Sequence, residues 1–292
     1  MKPRPGLTRI DCTLILALAA LFAFLAFRIG YGLDYPWEWE AIPQFFFKRD
    51  AAGNWSPNLL TRGFLTTIRL SVWGTLLGAL VGFAMGLAHV SRVRFLRLAA
   101  RLYVALIRNL PPLVLIFIFY FFIGDQLAPV LRLGEIAASG PAPVRKLLEF
   151  LFAPSHLLTP FLSAVTALAL LEGAYITEIV RAAIQSIEGG QWEAASSLGL
   201  SRPQQMWYVV LPQALPRMLP SLGGQFISAI KDSAIVSVVS IQELTFQGLE
   251  IMAATHLSLE LWITIALLYF LLTFGCSLLV RRMELHLGKG WA

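Results

Sequence analysis

The sequence predicts an all-α integral membrane protein with about six transmembrane helices. Hydrophobic residues make up 57% of its 292 residues and charged residues only 14%, whereas a soluble domain carries about 25% charged residues. Uncharged apolar runs approach the ~20 residues that a helix needs to cross a bilayer. The net charge of +6 comes from Lys and Arg beside these runs, as at the ends of transmembrane helices. We therefore exclude nucleic acid as a partner and expect the lipid bilayer to surround the chain.

Six apolar segments account for the predicted spans. They cover residues 13–27, 70–88, 102–123, 157–181, 219–241 and 261–280. No small-x-small cleavage site follows the first segment, so we expect a retained helix and not a signal peptide. The third segment contains Pro111 and Pro112, which predict a break, because proline cannot donate the helical hydrogen bond.

Positive charges orient these spans. Twelve Lys and Arg lie in one set of loops and six in the alternate loops. Cytoplasmic loops carry the excess of Lys and Arg, so both termini are predicted to be cytoplasmic. The richer set consists of Lys2, Arg4, Arg9, Arg92, Arg94, Arg97, Arg101, Arg202, Arg217, Arg281, Arg282 and Lys289.

One polar segment, residues 188–217, interrupts the apolar chain between the fourth and fifth predicted spans. Residues 191–198 are rich in Ala and Glu, which favour a helix. Gly199 can take the left-handed conformation that ends it. Ser201 is suited to cap a second helix with Pro203 in its first turn, and Pro212 is expected to end that helix. The polar segment is thus predicted to be a cytoplasmic helix–turn–helix.

The first helix of the polar segment is suited to docking. Ala194 and Ala195, followed by two serines, leave one flank without bulk, so the flank can enter a groove on another protein. Glu193 can pair with a cation on that partner. The residue types alone leave open the alternative of an ordinary amphipathic cytoplasmic loop.

Glu172 and Glu178 lie inside the fourth predicted span. A charge at mid-bilayer usually lines a cavity or finds a partner. Glu172 could hold the ammonium or cationic side chain of a solute, or it could be a solvated carboxylate facing the lumen. Glu178 precedes Arg181 by three residues, so the two can pair on one helix face. About 240° separates Glu172 from Glu178 around a helix, so they are not expected to form one carboxylate pair.

Lys231 and Asp232 lie inside the fifth predicted span. As neighbours on a helix they point to different sides and cannot simply neutralise each other, so each must meet other groups. Packing or gating and contact with the solute are both open. Together with Glu172 and Glu178, they are the candidates for a solute pathway.

Several motifs, taken in order and spacing, resemble those of a known family. Glu193-Ala194-Ala195, then Gly199, then Val209-Val210-Leu211-Pro212 has the spacing of the "EAA" loop of ABC importer permeases, with Val209 in place of the usual isoleucine. The stretches at 173–181, 190–195, 211–215 and 225–233 look like the polar amino acid (His/Glu/Gln/Arg-type) permease subfamily. The resemblance covers about residues 61–285. The chain departs from the pattern at 107–112, in its long 125–156 loop, and at Glu172, where a small or amide residue is common.

The resemblance implies a type I ABC importer permease fold, of the MetI-like kind. Residues 1–60 would form an N-terminal transmembrane helix and a periplasmic interfacial loop, residues 61–285 the permease domain, and residues 286–292 a cytoplasmic tail. The implied partners are a cytoplasmic ABC ATPase dimer, a second permease subunit (the same or a sister chain) and a periplasmic solute-binding protein. The implied ATPase-coupling residues are Glu193, Ala194, Ala195, Gly199, Leu211 and Pro212.

The chain is not expected to hydrolyse ATP. The stretch 221–225 resembles the ATPase signature peptide in composition, but the sequence contains no Gly-x4-Gly-Lys-Ser/Thr loop. Its glycines are better explained by close helix packing. We expect no cofactor or metal in this chain, with ATP and Mg²⁺ bound by the partner ATPase.

These observations predict the permease subunit of an ATP-driven amino acid importer in the bacterial inner membrane, working by alternating access. The alternative is an ion-coupled secondary transporter or channel for small polar solutes. Such a protein would have no reason to carry a cytoplasmic docking helix. An intramembrane enzyme is disfavoured, because the sequence shows no clustered nucleophile, base or metal set.

Overall fold

The computed structural model describes residues 9–32, 35–50, 53–122, 126, 139 and 141–288. The chain divides into two compact units, Met1–Glu40 and Ala41–Ala292. In the first unit, helix α1 runs from Arg9 to Gly32, and the rings of Trp37 and Trp39 stack with centroids 5.7 Å apart. The predicted division at residues 60 and 285 stays a prediction.

The second unit is a helical bundle that follows a small hairpin. Strand β1 (Phe47–Arg49) pairs antiparallel with β2 (Trp55–Pro57), and Lys48 lies opposite Ser56. The helices are α2 (Leu59–Val90), α3 (Arg94–Asn109), α4 (Pro112–Phe122), α5 (Ala142–Leu151), α6 (Leu158–Gln185), α7 (Gly189–Ser197), α8 (Arg202–Gln205), α9 (Leu211–Asp232), α10 (Leu244–Thr255) and α11 (Leu259–Gly288). Short 3-10 helices cover Trp39–Ala41, Pro43–Phe45, Ser155–Leu157 and Ser233–Val239, and a π-helix covers Met206–Val210.

Among the described residues, four helical segments are long and apolar enough to cross a membrane, and a fifth span is broken. The four run over Leu59–Val90, Ser155–Gln185, Arg202–Val239 and Leu259–Leu285. The broken span consists of α3 and α4, and the chain bends by 116° between them. These correspond to the second to sixth predicted spans and confirm an all-α membrane fold. The first predicted span lies in α1, whose described apolar stretch, Ile10–Phe24, is shorter than a spanning helix.

The predicted break in the third span is confirmed at Pro111 and Pro112. Helix α3 ends at Asn109, and α4 begins at Pro112, where a missing N–H costs nothing because first-turn donors have no intrahelical acceptor. The second span begins eleven residues before its predicted start at Leu70, at Leu59. The prediction failed there because Arg62 and Arg69 lower the local hydropathy, whereas in the fold both line a cavity.

Helices α2 and α6 run parallel and pack at very short distance. Four glycines at every fourth position of α2 face α6. A Cβ built on any of them would lie 3.0 Å or closer to a side chain of α6. The pairs are Gly74 with Leu168, Gly78 with Glu172, Gly82 with Ile176 and Gly86 with Val180. Small residues let membrane helices approach so closely, and the packing itself then holds them together.

The polar segment has the predicted turn but not the predicted end. Gly199 has φ +74° and ends the first helix, as expected. Ser201 caps α8, and its N–H donates to Gln204 Oε1 at 2.8 Å. The expectation that Pro212 ends the second helix is wrong. Residues 206–210 form the π-helix, and Leu211 N–H donates to Met206 O at its end. Pro212 lies in the first turn of α9, a position that tolerates proline.

Two apolar clusters lie at opposite ends of α6. One surrounds its first turns and includes Phe161, Leu70 of α2 and Ile116 of α4. The other surrounds its last turns and includes Ile184 and Leu211, so it holds the polar segment against the bundle. Glu172 lies on α6 between these two clusters.

Helix α10 begins at a fully buried carboxylate. Glu243 caps it by accepting the N–H groups of Thr245 and Phe246 at 2.9 and 2.7 Å, and Tyr269 donates to it at 2.8 Å. Burial raises the pKa of Glu243, and these hydrogen bonds oppose the rise. Because its oxygens accept these bonds, Glu243 has a structural role here.

Candidate functional site

The polar segment presents a mixed surface at one end of the bundle. Of the predicted coupling residues, Glu193, Ala194, Gly199 and Pro212 are exposed, whereas Ala195 and Leu211 are buried. The helix that carries Glu-Ala-Ala therefore shows two of these residues to solvent and packs the third inward. A Cβ on Gly199 would meet nothing within 4 Å, so only its left-handed backbone requires glycine.

Three large apolar side chains beside these residues are exposed. Leu198, Trp207 and Tyr208 have 80%, 60% and 72% of their surface accessible. Exposed apolar groups next to polar ones mark protein interaction sites when they are contiguous. These three residues were not predicted as contact residues, although two adjacent aromatic residues in a polar stretch indicate a possible interface.

Hydrogen bonds tie the polar segment to both spans that flank it. Arg217 Nη1 donates to Ser186 O, just beyond the end of α6, at 2.6 Å. Gln213 Nε2 donates to Gln191 Oε1 at 3.2 Å, which links α9 to α7. These two hydrogen bonds join α9 to the end of α6 and to α7.

A second polar site lies inside the bundle, and we call Glu172, Gln225 and Asp232 the carboxylate cluster. Glu172 is fully buried, and its Oε2 accepts a hydrogen bond from Gln225 Nε2 at 2.6 Å. Asp232 lies close enough to interact with Glu172 electrostatically. Glu172 Oε1 is buried and accepts no hydrogen bond from a donor among the described residues, but the Glu172 carboxyl lies within hydrogen-bonding reach of the Asp232 carboxyl. Two carboxyl groups this close can share one proton or together hold a cation.

The carboxylate cluster joins two of the four predicted pathway residues and adds one that was not predicted. Asp232 is half-buried and faces Glu172, whereas Lys231 is exposed on another side of α9, as expected for neighbours on a helix. Gln225 is 53 positions away from Glu172 in sequence. No local pattern in the sequence could have paired them.

Glu178 forms no pair with Glu172, as predicted, and its partners are Arg181 and His89. Arg181 donates to its Oε2 through Nε at 2.9 Å and Nη2 at 2.7 Å, which confirms the predicted pair. His89 Nε2 lies 3.9 Å from its other oxygen. Glu178 and Arg181 line a cavity of about 510 Å³ near the polar segment, together with Arg108 and Arg217. This cavity thus combines one acid, which is paired with Arg181, with two further arginines.

A second cavity lies at the opposite end of α2 and α6 and holds about 500 Å³. Arg62, Arg69 and His156 line it, with Gln242 and Gln247. The Oε1 atom of Gln247 is buried without a hydrogen-bond partner in the described part of the chain. Over those same residues, no group of three His, Cys, Asp or Glu side chains could hold a metal ion.

Known proteins are similar to this chain in sequence and in fold. The family described as "Binding-protein-dependent transport system inner membrane component" matches residues 74–289. The glutamine transport system permease protein GlnP of Escherichia coli (strain K12) is 33% identical over 254 residues, which cover 86% of this chain and 97% of that protein. The L-cystine transport system permease protein TcyB of Bacillus subtilis (strain 168) is 31% identical over 253 residues, covering 86% and 92%.

Two solved structures are similar in three dimensions. The crystal structure of an amino acid ABC transporter with histidines has a TM-score of 0.61 and 33% identity, covering 78% of this chain and 94% of that one. An inward-facing structure of the MetNI methionine ABC transporter has a TM-score of 0.55, covering 77% and 96%. At 20% identity it supports the fold alone, which is the predicted type I importer permease fold.

Proposed function

The chain belongs to the family of binding-protein-dependent transport system inner membrane components, and we propose from this that it is the membrane subunit of an ATP-driven amino acid importer. A separate cytoplasmic ABC ATPase dimer binds ATP and Mg²⁺ and hydrolyses the ATP, whereas this chain does not hydrolyse ATP. A second permease subunit completes the pore, and a periplasmic solute-binding protein delivers the solute. The chain lies in the bacterial inner membrane with both termini in the cytoplasm.

The exposed face of the polar segment is the observation that carries this proposal. Leu198, Trp207 and Tyr208 expose more than half of their surface beside Glu193. Aromatic side chains of this kind are typical anchors of protein interfaces. Glu193 adds a charge that can pair with a cation on the ATPase. The predicted coupling residues are therefore proposed as the ATPase contact, with these three side chains as its apolar part.

The attachment of the polar segment supports the proposal of alternating access. It continues into α9 without a break and is hydrogen-bonded to Ser186 at the end of α6. When the ATPase dimer closes, a displaced polar segment pulls on α6 and α9 together. These two helices carry the carboxylate cluster, so the motion reaches the polar groups in the middle of the bundle.

We propose the carboxylate cluster and Glu178 as parts of the solute pathway. The neighbouring carboxyl groups of Glu172 and Asp232 can together accept hydrogen bonds from a solute ammonium once solute enters. Glu178 and the arginines of its cavity can then receive the charged groups of the solute nearer the polar segment. Lys231 is exposed and is assigned to gating or to contact with the second subunit.

Gly199→Asp tests the ATPase contact. An aspartate at φ +74° strains the backbone by about 1–2 kcal/mol and adds charge and bulk to the exposed surface. We expect the variant to insert into the membrane normally, to lose the co-purifying ATPase and to transport no solute. The measurement is the amount of ATPase recovered with tagged permease from the native operon.

Gly53→Asp is the matched control. Gly53 has φ +84° and also has nothing within 4 Å of a built Cβ, but it lies in the turn of the hairpin. This variant should recover wild-type amounts of ATPase. Normal recovery with Gly199→Asp would remove the polar segment from the ATPase contact.

A further inference from the structure

A pocket of about 390 Å³ lies between α3, the end of α6 and the polar segment. Arg97, Arg101 and Arg202 line it, together with His89 and Trp192. None of the described residues that line it carries a carboxylate. The pocket is therefore a concentrated positive site at the boundary between the bundle and the polar segment.

The arginines of this pocket are not neutralised by the protein. Within the described residues, the side chains of Arg97 and Arg101 make no hydrogen bond or ion pair. Arg202 places its guanidinium 5.4 Å from the centre of the Trp192 ring, which leaves its N–H donors free to bind an anion. Three guanidinium groups around one space repel each other unless an anion lies between them.

His89 also lines this pocket. Its Nδ1 atom is buried and has no hydrogen-bond partner among the described residues. Its other nitrogen lies 3.9 Å from Glu178, but that carboxylate is bound directly to Arg181.

The adjacent face of α3 shows where the rest of such an occupant can lie. Phe95, Leu98 and Leu102 expose 76%, 66% and 57% of their surface, on the turns that carry Arg97 and Arg101. An apolar face beside a basic pocket fits a molecule with an anionic head and an apolar tail. Basic pockets between helices at the cytoplasmic side of a membrane bind anionic lipid head groups in this way.

We propose that this pocket binds a phosphate group, supplied by an anionic phospholipid or by free phosphate. Arg97 and Arg101 hold the phosphate from α3, and Arg202 holds it from the polar segment. The phosphate thereby bridges a span and the segment proposed to meet the ATPase. The proposal depends on the membrane location of the chain and not on ATPase coupling.

Native mass spectrometry of the purified full-length chain, with any subunits that co-purify, tests the site. Phosphatidylglycerol, phosphatidylcholine and inorganic phosphate are the probes. Arg97→Gln with Arg101→Gln should weaken phosphatidylglycerol retention by about thirtyfold, since each basic residue near an anionic lipid contributes about 1 kcal/mol. Arg101→Gln alone, at an exposed position that tolerates change, should weaken it by about fivefold.

Arg92→Gln with Arg94→Gln is the matched control. These two substitutions remove the same charge from the same region, but the exposed arginines that they replace do not line the pocket. Retention equal to wild type in this control, with loss in the pocket variants and no competition by phosphate, identifies a lipid head group. Thermal stabilisation by inorganic phosphate that disappears only in the pocket variants identifies free phosphate. Equal effects of the pocket and control variants on both probes overturn the proposal.

Discussion

The glycines of α2 are tightly packed against α6, whereas the glycines of the polar segment have open space around them. Glycines of α2 touch α6 so closely that an added Cβ would lie 2.5–3.0 Å from its nearest side-chain atom. Gly189, Gly190 and Gly199 of the polar segment have open space around the same position. The first region is held by its own packing, whereas the second leaves surface free for another protein. The bundle thus combines a tightly packed pair of spans with a segment whose surface is open.

The largest expected effect comes from filling the tight interface. In Gly82→Leu, the Cβ alone would lie 2.6 Å from Ile176, so α2 and α6 must separate. We expect a loss of about 3 kcal/mol or more of folding free energy, because overpacked cores strain the backbone. Thermal unfolding of the purified chain measures it. Gly275→Leu in α11, where a Cβ meets nothing within 4 Å, should unfold at or above the wild-type temperature. Equal unfolding temperatures for the two variants would show that the interface is not tightly packed.

A smaller effect is expected on the open surface, and it should appear in binding and not in stability. Trp207→Ala removes a side chain that is 60% exposed, so the fold should hardly change. A central aromatic anchor contributes about 2 kcal/mol to an interface, which is about thirtyfold in affinity. Titration of the permease with purified ATPase measures this. Phe95→Ala, 76% exposed on α3, is the control and should bind as wild type does. Unchanged affinity in Trp207→Ala would exclude Trp207 from the interface.

The smallest expected effect concerns the carboxylate cluster between the two regions. Glu172→Gln keeps the shape of the side chain but removes the charge offered to a solute ammonium. We expect about a tenfold change in the relative uptake of cationic and neutral amino acids by proteoliposomes, the size of one charged hydrogen bond. Glu250→Gln changes an exposed acid of α10 and should leave the preference intact. If both variants transport with wild-type rates and preference, Glu172 does not contact the solute.

The sequence predicted those features that depend on neighbouring residues. Hydropathy located the second to sixth spans, two prolines located the break near Asn109, and Gly199 located the end of α7. The Glu178–Arg181 pair also followed from spacing alone, because residues three apart on a helix meet. Each of these signals is local and needs no knowledge of the fold.

The features that the sequence analysis missed depend on contacts between distant elements. Gln225 and Asp232 meet Glu172 only because α6 and α9 pack together, and no local pattern indicates this. The expectation for Pro212 failed because a π-turn accommodates proline within a continuous helix. The spacing of Gly74, Gly78, Gly82 and Gly86 was present in the sequence and would have predicted a close helix contact, although not its partner.

The most direct measurement of the central claim is solute uptake by proteoliposomes with the ATPase present or omitted. The liposomes contain this chain, any second permease subunit and the solute-binding protein, with ATP on the side of the polar segment. We predict amino acid uptake only when both the ATPase and ATP are present. Uptake at the full rate without the ATPase would contradict the account and favour an ion-coupled transporter or a channel.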